Sequence, residues 1–184
     1  MIAEAAAVAD DLGFDRLTLA AVAERVGVRL PSLYKHIGSL DALRQGVAAQ
    51  ATRELAAVMT DAAVGRAGTD ALHAVAAAYR DYGRANPGRY AATVRAPHPS
   101  DEEHTAAADA SLRVVLAVLA GYGLTGDDAV DATRALRAAL HGFVTLEAAG
   151  GFGMPREVDR SFDRFLTAFD AALTGWSRDS PAAT

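Results

Sequence analysis

Residues 18–43, TLAAVAERVGVRLPSLYKHIGSLDAL, read as two short helices joined by a tight turn, with a longer helix starting immediately after. Thr18 is suited to cap the first helix, and Leu19, Val22, Ala23 and Val26 recur at helical spacing with Glu24 and Arg25 turned outward. Gly27 ends it, because glycine tolerates the left-handed backbone that a sharp turn demands. The second helix begins near Leu30 or Pro31, where proline costs little since the first helical N–H groups have no partner in any case. Leu33 points inward, and Ser32, Tyr34, Lys35 and His36 point largely outward. Small Ala23 allows the helices to approach, and Val28 and Leu33 are expected to fill the angle between them. These are the requirements of a helix-turn-helix, whose second helix enters the DNA major groove.

The rest of the chain reads as helix too. Alanine is abundant, β-branched runs are few, and 51% of the 184 residues are apolar, so an all-α protein with a sizeable core is expected. A first helix covers residues 2–12, with Ile2, Ala5, Ala9 and Leu12 on one side, and ends at Gly13; Phe14 and Leu17 anchor the next turn. Ser39 caps a fourth helix from about Leu40 to Val64, and its apolar stripe (Leu43, Val47, Leu55, Val58, Met59) runs on beyond the helix-turn-helix. A fifth helix spans about Asp70 to Ala85 and a short sixth lies within 88–96, after the breaker Asn86-Pro87-Gly88. A capping box of Ser100 and Glu103 opens a seventh helix carrying Leu112, Val115, Leu116 and Leu119. An eighth runs from Gly126 to Ala149 with Val130, Leu136, Leu140, Phe143 and Val144, and a ninth from about Arg156 to Leu173 on a broad aromatic face.

Composition excludes several classes. With no cysteine there is neither a disulfide framework nor a thiolate metal site. The longest apolar run, about Val114 to Leu124, is too short for a bilayer, and MIAEAAAVADDL lacks the basic start of a signal peptide. A soluble cytoplasmic protein is expected, with no membrane partner. There is no G-x-S-x-G elbow, phosphate-binding glycine loop or H-E-x-x-H, so no enzyme and no cofactor is expected. The crowded His98, Asp101, Glu102, Glu103 and His104 offer donors that suit divalent metals, but the acids are what a helix N-terminus attracts, and capping is the favoured reading over a metal site. Net charge is −5, and residues 1–46 are themselves not basic, which counts weakly against DNA binding.

Nine helices with the helix-turn-helix first resemble the tetracycline-repressor (TetR/AcrR-type) family of bacterial regulators, through TLAAVAERVGV and LPSLYKHIGSLDAL. LHGFVTLEAAGGFGMP and the following RSFDRFL resemble that family's WHG-type regulatory domain. The resemblance implies a DNA-binding domain over 1–46, a regulatory domain over 47–177 and a tail over 178–184. It implies a homodimeric transcriptional regulator, a repressor that binds a palindromic double-stranded DNA operator and is relieved by a small, largely apolar effector. Carried over, Thr18, Tyr34, Lys35 and His36 meet phosphates, while Arg29, Leu30, Pro31 and Ser32 meet base edges. Arginine can read guanine, serine is permissive, and leucine or proline can only pack on a thymine methyl. Tyr34 has an alternative as a core tyrosine between the third and fourth helices, and His36 as a solvated residue.

For the effector the implied wall is Tyr79, Tyr82, Tyr90, Arg95 and Phe143, with ordinary core aromatics as the alternative. For the dimer seam it is Arg137, His141, Thr145, Phe162, Phe165 and Phe169, and Glu147 is expected to partner Arg137 or His141 or to be solvated. Three features depart from the family: Met1 is already at the first helix, where a basic arm often precedes it; Arg29 stands where a small hydroxyl residue commonly caps the recognition helix; and Leu40 replaces a common lysine. With about three cationic contacts per protomer (Lys35, Arg29 and Arg44), a dimer neutralises about six phosphates and its salt slope is on the order of −5. That is a weak grip, and a helical ligand-binding or interaction module with a weakened DNA-binding face is the competing reading.

Overall fold

A computed structural model describes residues 1–35 and 37–176, so His36 and the tail expected over 178–184 lie outside the described residues. The described residues form nine helices and no strand: α1 (Ile2–Leu12), α2 (Leu19–Arg25), α3 (Leu30–Leu33), α4 (Leu40–Ala63), α5 (Gly68–Ala85), α6 (Pro87–Ala92), α7 (Glu102–Ala120), α8 (Gly126–Ala148) and α9 (Val158–Trp176). A single 3-10 turn, Phe14–Arg16, separates α1 from α2. The all-α expectation holds, and so does the order of elements.

The chain divides into two compact units that interleave along the sequence. The first contains residues 1–57 and 82–111; the second contains 58–81 and, among the described residues, 112–176. In the first, Ala5, Ala6 and Val8 of α1, Leu17, Leu19, Val22 and Ala23 around α2, Leu33, Ile37, and Leu43, Val47 and Ala51 of α4 form one buried cluster joined by Ala92 of α6. Leu40, in the place of the family's lysine, packs against this cluster. Two glycines permit its close helix crossings. A Cβ on Gly46 would lie 2.6 Å from Cδ1 of Ile2, and one on Gly88 would fall on the backbone of Ala9 and Asp10, so α6 meets α1 main chain to main chain.

The turn of the helix-turn-helix is closed by backbone alone. Gly27 has φ +70°, its N–H reaches the carbonyl of Glu24, and the Val28 N–H reaches that of Ala23, the paired bonds of a Schellman ending. Thr18 caps α2 by accepting from the Ala21 N–H, and Ser39 caps α4 by accepting from that of Ala42. Val28 does not fill the interhelical angle as expected: once its N–H is turned back onto Ala23 its side chain is 43% exposed, and Leu33, Val22 and Ala23 fill the space without it. Leu12, Leu112 and Val130, assigned to apolar faces by periodicity, are also exposed in this chain.

In the second unit Leu72, Val75 and Tyr79 of α5, Val118 and Leu119 of α7, Leu136, Leu140 and Val144 of α8, and Phe162, Leu166 and Leu173 of α9 are buried. Every third or fourth residue of α8 and α9 is turned inward, the pattern by which an amphipathic helix is held against a core.

Candidate nucleic-acid interface

α3 is a single helical turn entered through extended Arg29, with Pro31 in the first turn where it sacrifices no hydrogen bond. Only Leu33 of the segment from Gly27 to Lys35 is buried; Val28, Arg29, Leu30, Pro31, Ser32, Tyr34 and Lys35 are all exposed. Tyr34 is 53% exposed, which removes the alternative of a core tyrosine. The sequence-expected DNA contacts of the described residues therefore share one bare segment, with Thr18 exposed at the start of α2 and its hydroxyl engaged in the cap.

The cations near this surface divide into two groups. Arg25 pairs with Asp11 and Arg95 with Asp41, while Arg44 donates to the carbonyls of Asp15 (2.9 Å) and Leu17 (3.3 Å). Arg44 thus holds the turn between α1 and α2 through one guanidinium nitrogen. Arg29 and Lys35 form no ion pair among the described residues.

Behind the surface, one polar node ties α1 to α6 and α4. Asp10 accepts from the Arg89 backbone N–H (2.8 Å) and from its guanidinium (2.7 Å), and a second guanidinium nitrogen reaches Glu54 at 2.9 Å. Glu54 also accepts from Gln50 and from the Tyr82 hydroxyl, which lies 3.2 Å from the Ala51 carbonyl as well. Burial opposes ionisation of Glu54, but the hydrogen bonds from Gln50, Tyr82 and Arg89 outweigh it and hold its carboxyl below the usual 4.5. Burial, reinforced by the Glu54 charge, pushes the Tyr82 hydroxyl far above its ordinary range, so it stays a donor at any working pH.

The acidic cluster before α7 is dispersed into separate structural roles. Asp101, rather than Ser100, caps the helix by accepting from the His104 N–H; Ser100 bonds His98, and Glu103 pairs with Arg53. His104 is buried against the Thr52 hydroxyl, and burial lowers its pKa below 6.5. No group of His or carboxylates among the described residues could hold a metal ion.

The residues expected to wall an effector site fall in both units. Tyr82, Tyr90 and Arg95 belong to the first, where Tyr82 and Arg95 have the partners given above and Tyr90 is buried. Tyr79 and Phe143 belong to the second. Phe143 sits among Phe152, Phe162 and Phe165, with ring centroids at 4.8, 5.0 and 6.2 Å, and the chain of rings continues to Phe169.

Sequence reasoning missed Arg80. Its guanidinium donates to both oxygens of Glu147 (2.8 and 2.6 Å) and to Asp159 (2.7 Å), 4.7 Å from the Phe162 ring centroid and 5.5 Å from that of Phe143. Arg80 thus ties Glu147 of α8 to α5. Of the expected dimer residues, Phe162 is buried beneath Arg80, while Phe165 and Phe169 are half-buried. On α8, Arg137, His141 and Thr145 follow one another at four-residue spacing, and His141, whose pKa burial and then Arg137 depress, lies 3.5 Å from the Thr145 hydroxyl. Arg80 could have been suspected only as a charge on the apolar side of α5, between Tyr79 and Tyr82.

An all-helical chain whose helix-turn-helix segment is exposed defines the class, a helix-turn-helix regulator. The family described as "Tetracyclin repressor-like, C-terminal domain" matches residues 72–169. An uncharacterized HTH-type transcriptional regulator of Mycobacterium tuberculosis is 42% identical over 142 residues, spanning 77% of this chain and 65% of its own length. A second, of Bacillus subtilis, is 34% identical over 174 residues, covering 94% of this chain and 91% of its own. A protein of unknown function from Rhodococcus sp. RHA1 shares the fold with a TM-score of 0.77 at 24% identity, over 94% of this chain and 93% of that one.

The chain belongs to the tetracycline-repressor-like family of HTH-type transcriptional regulators. Proteins of this family are regulators rather than enzymes; they bind DNA and often dimerise. Among the described residues no helix is long and apolar enough to cross a membrane.

Proposed function

We propose that this chain is a cytoplasmic transcriptional repressor that binds a palindromic operator as a homodimer and is released by a small, largely apolar effector. Residues 1–46 serve as the DNA-binding domain, and 47–177 as the regulatory and dimerisation domain. The observation that carries the reading is the segment Val28–Lys35, which exposes all its side chains but Leu33 on a turn held by Gly27. Thr18, Tyr34, Lys35 and His36 contact phosphates, and Arg29, Leu30, Pro31 and Ser32 face the bases. With Arg44 engaged internally, two cations per protomer remain, and the salt slope of a dimer falls to about −4. Effector contacts are proposed within each unit by itself, at Tyr82, Tyr90 and Arg95 of the first and at Tyr79 and Phe143 of the second, and the dimer seam along Arg137, His141, Thr145, Phe162, Phe165 and Phe169.

The test is a mobility shift on the DNA upstream of the protein's own gene, at low and moderate salt. Sequence-preferring retention at low salt that fades as salt rises supports the reading, and its absence at low salt refutes it. Arg29→Ala should change which sequences are preferred; a uniform loss on all sequences would remove Arg29 from the base-reading set. The engaged state of Arg25, Arg44 and Arg95 favours a second reading, a ligand-binding module whose DNA-binding face has decayed. Tight effector binding without DNA retention would establish that one instead.

A further inference from the structure

The recognition segment is unusual in what it lacks. From Val26 to Ser39 there is no Asn, Gln, Asp or Glu, the side chains that pair with adenine or cytosine edges. Arg29 alone has the fork that reads guanine by two bonds, and Ser32 is indifferent to base identity. What the segment offers instead is apolar surface. Val28 is 43% and Leu30 37% exposed, flanking Arg29 on either side, and Pro31 is exposed beside them. None of these is required by the core, since Leu33, Val22 and Leu17 seal the inner side of the turn.

The major groove has one apolar feature, the 5-methyl group of thymine. We infer that Leu30, seconded by Val28, reads thymine methyl groups, so that each operator half-site is distinguished by thymines next to the guanine met by Arg29. This rests on the proposed DNA-binding reading and names the chemistry by which that surface discriminates. Charge favours DNA as the occupant over another apolar surface, because Arg29 and Lys35, which form no ion pair among the described residues, lie within the same bare segment. Burying one methyl group is worth about fourfold in affinity, so one thymine in each half-site of a dimer contributes about fifteenfold.

The experiment selects a binding duplex from a pool with a randomised core, using the full chain. The selected duplex is then resynthesised with deoxyuridine for every core thymine, which removes only the methyl groups. The uracil duplex should bind about fifteenfold more weakly with an unchanged salt slope, because phosphate contacts are untouched. Leu30→Ser, a change at an exposed position, should bind the thymine duplex more weakly and lose most of the thymine-over-uracil difference. Equal binding of the two duplexes by the unaltered protein overturns the inference while leaving the DNA-binding reading intact. So does a methyl dependence that survives in Leu30→Ser. If no duplex is retained at low salt, the DNA-binding reading itself falls, and with it the inference. Sedimentation of both proteins supplies the remaining outcome: self-association that Leu30→Ser dissolves, in a protein that retains no duplex, would make the patch a contact between copies of this chain.

Discussion

Two regions of the first unit lie at opposite extremes. At the meeting of α1 and α6, Gly88 brings main chain against main chain, and Asp10, Arg89, Glu54 and Tyr82 close a hydrogen-bonded node around it. In the segment Val28–Lys35, one leucine is buried and every other side chain faces outward. The first region has almost no freedom to change, because its atoms touch on all sides and close-packed interiors feel even one added methylene. The second can change nearly any side chain without the core noticing. Shape is held where the chain is tight, and specificity is written where it is bare.

Gly88→Ala should break that comparison most severely. The new methyl lands on the Ala9 carbonyl, a backbone atom that cannot swing aside, so α1 or α6 must move. We expect a loss of about 3 kcal/mol in urea unfolding, at the upper end for an overpacked site. A cost below half of that would show that α1 is loosely seated. Next in size is Arg89→Met, which keeps the backbone N–H bond to Asp10 but strips both carboxylates of the guanidinium, with side chains only 15–30% exposed. About 2 kcal/mol is expected. The double variant with Glu54→Gln should cost less than the sum of the two single changes, since the residues share one network.

A smaller effect lies in pH. Glu54 has a folded pKa below the unfolded value near 4.5, so the folded state favours its ionised form. The associated stability is fully present above pH 4.5 and is lost as pH falls through the folded pKa. Urea midpoints taken between pH 5.5 and 3.5 should therefore fall more steeply for the unaltered protein than for Glu54→Gln. Parallel curves would mean that Glu54 is solvated despite its contacts.

The contrast also explains what could be read from the sequence. The helix-turn-helix was legible because its signals are local: a cap at Thr18, a left-handed glycine at Gly27, an early proline at Pro31 and one inward leucine at Leu33. Its limit is Val28, whose apolar character suggests burial although the Schellman turn sends that side chain outward. The α1–α6 junction was not legible. Gly88 read as a turn breaker, and nothing in the order of residues tells that Ala9, far back in the chain, lies against it. The pairing of Arg80 with Glu147 is hidden for the same reason, since a part-buried pair distant in sequence looks like two surface charges until the helices are packed. Before α7 the sequence points to a cap at Ser100 and the structure uses Asp101, because the two are equally good caps and only the path of the chain chooses between them.

Lys35→Ala should have the smallest effect on stability and thereby sharpens the comparison. The side chain is exposed and has no ion pair among the described residues, so unfolding should change by less than about 0.5 kcal/mol. DNA binding should respond very differently. In the proposed dimer two lysines withdraw, and the slope of log K against log salt should become shallower by about 1.8. Because a phosphate contact carries no base information, the loss should be uniform across duplexes, and the preference for the selected sequence over its variants should survive. If affinity falls selectively on some sequences while the slope is unchanged, Lys35 reads bases, and the division of this segment into a phosphate-gripping end and a base-reading end must be redrawn.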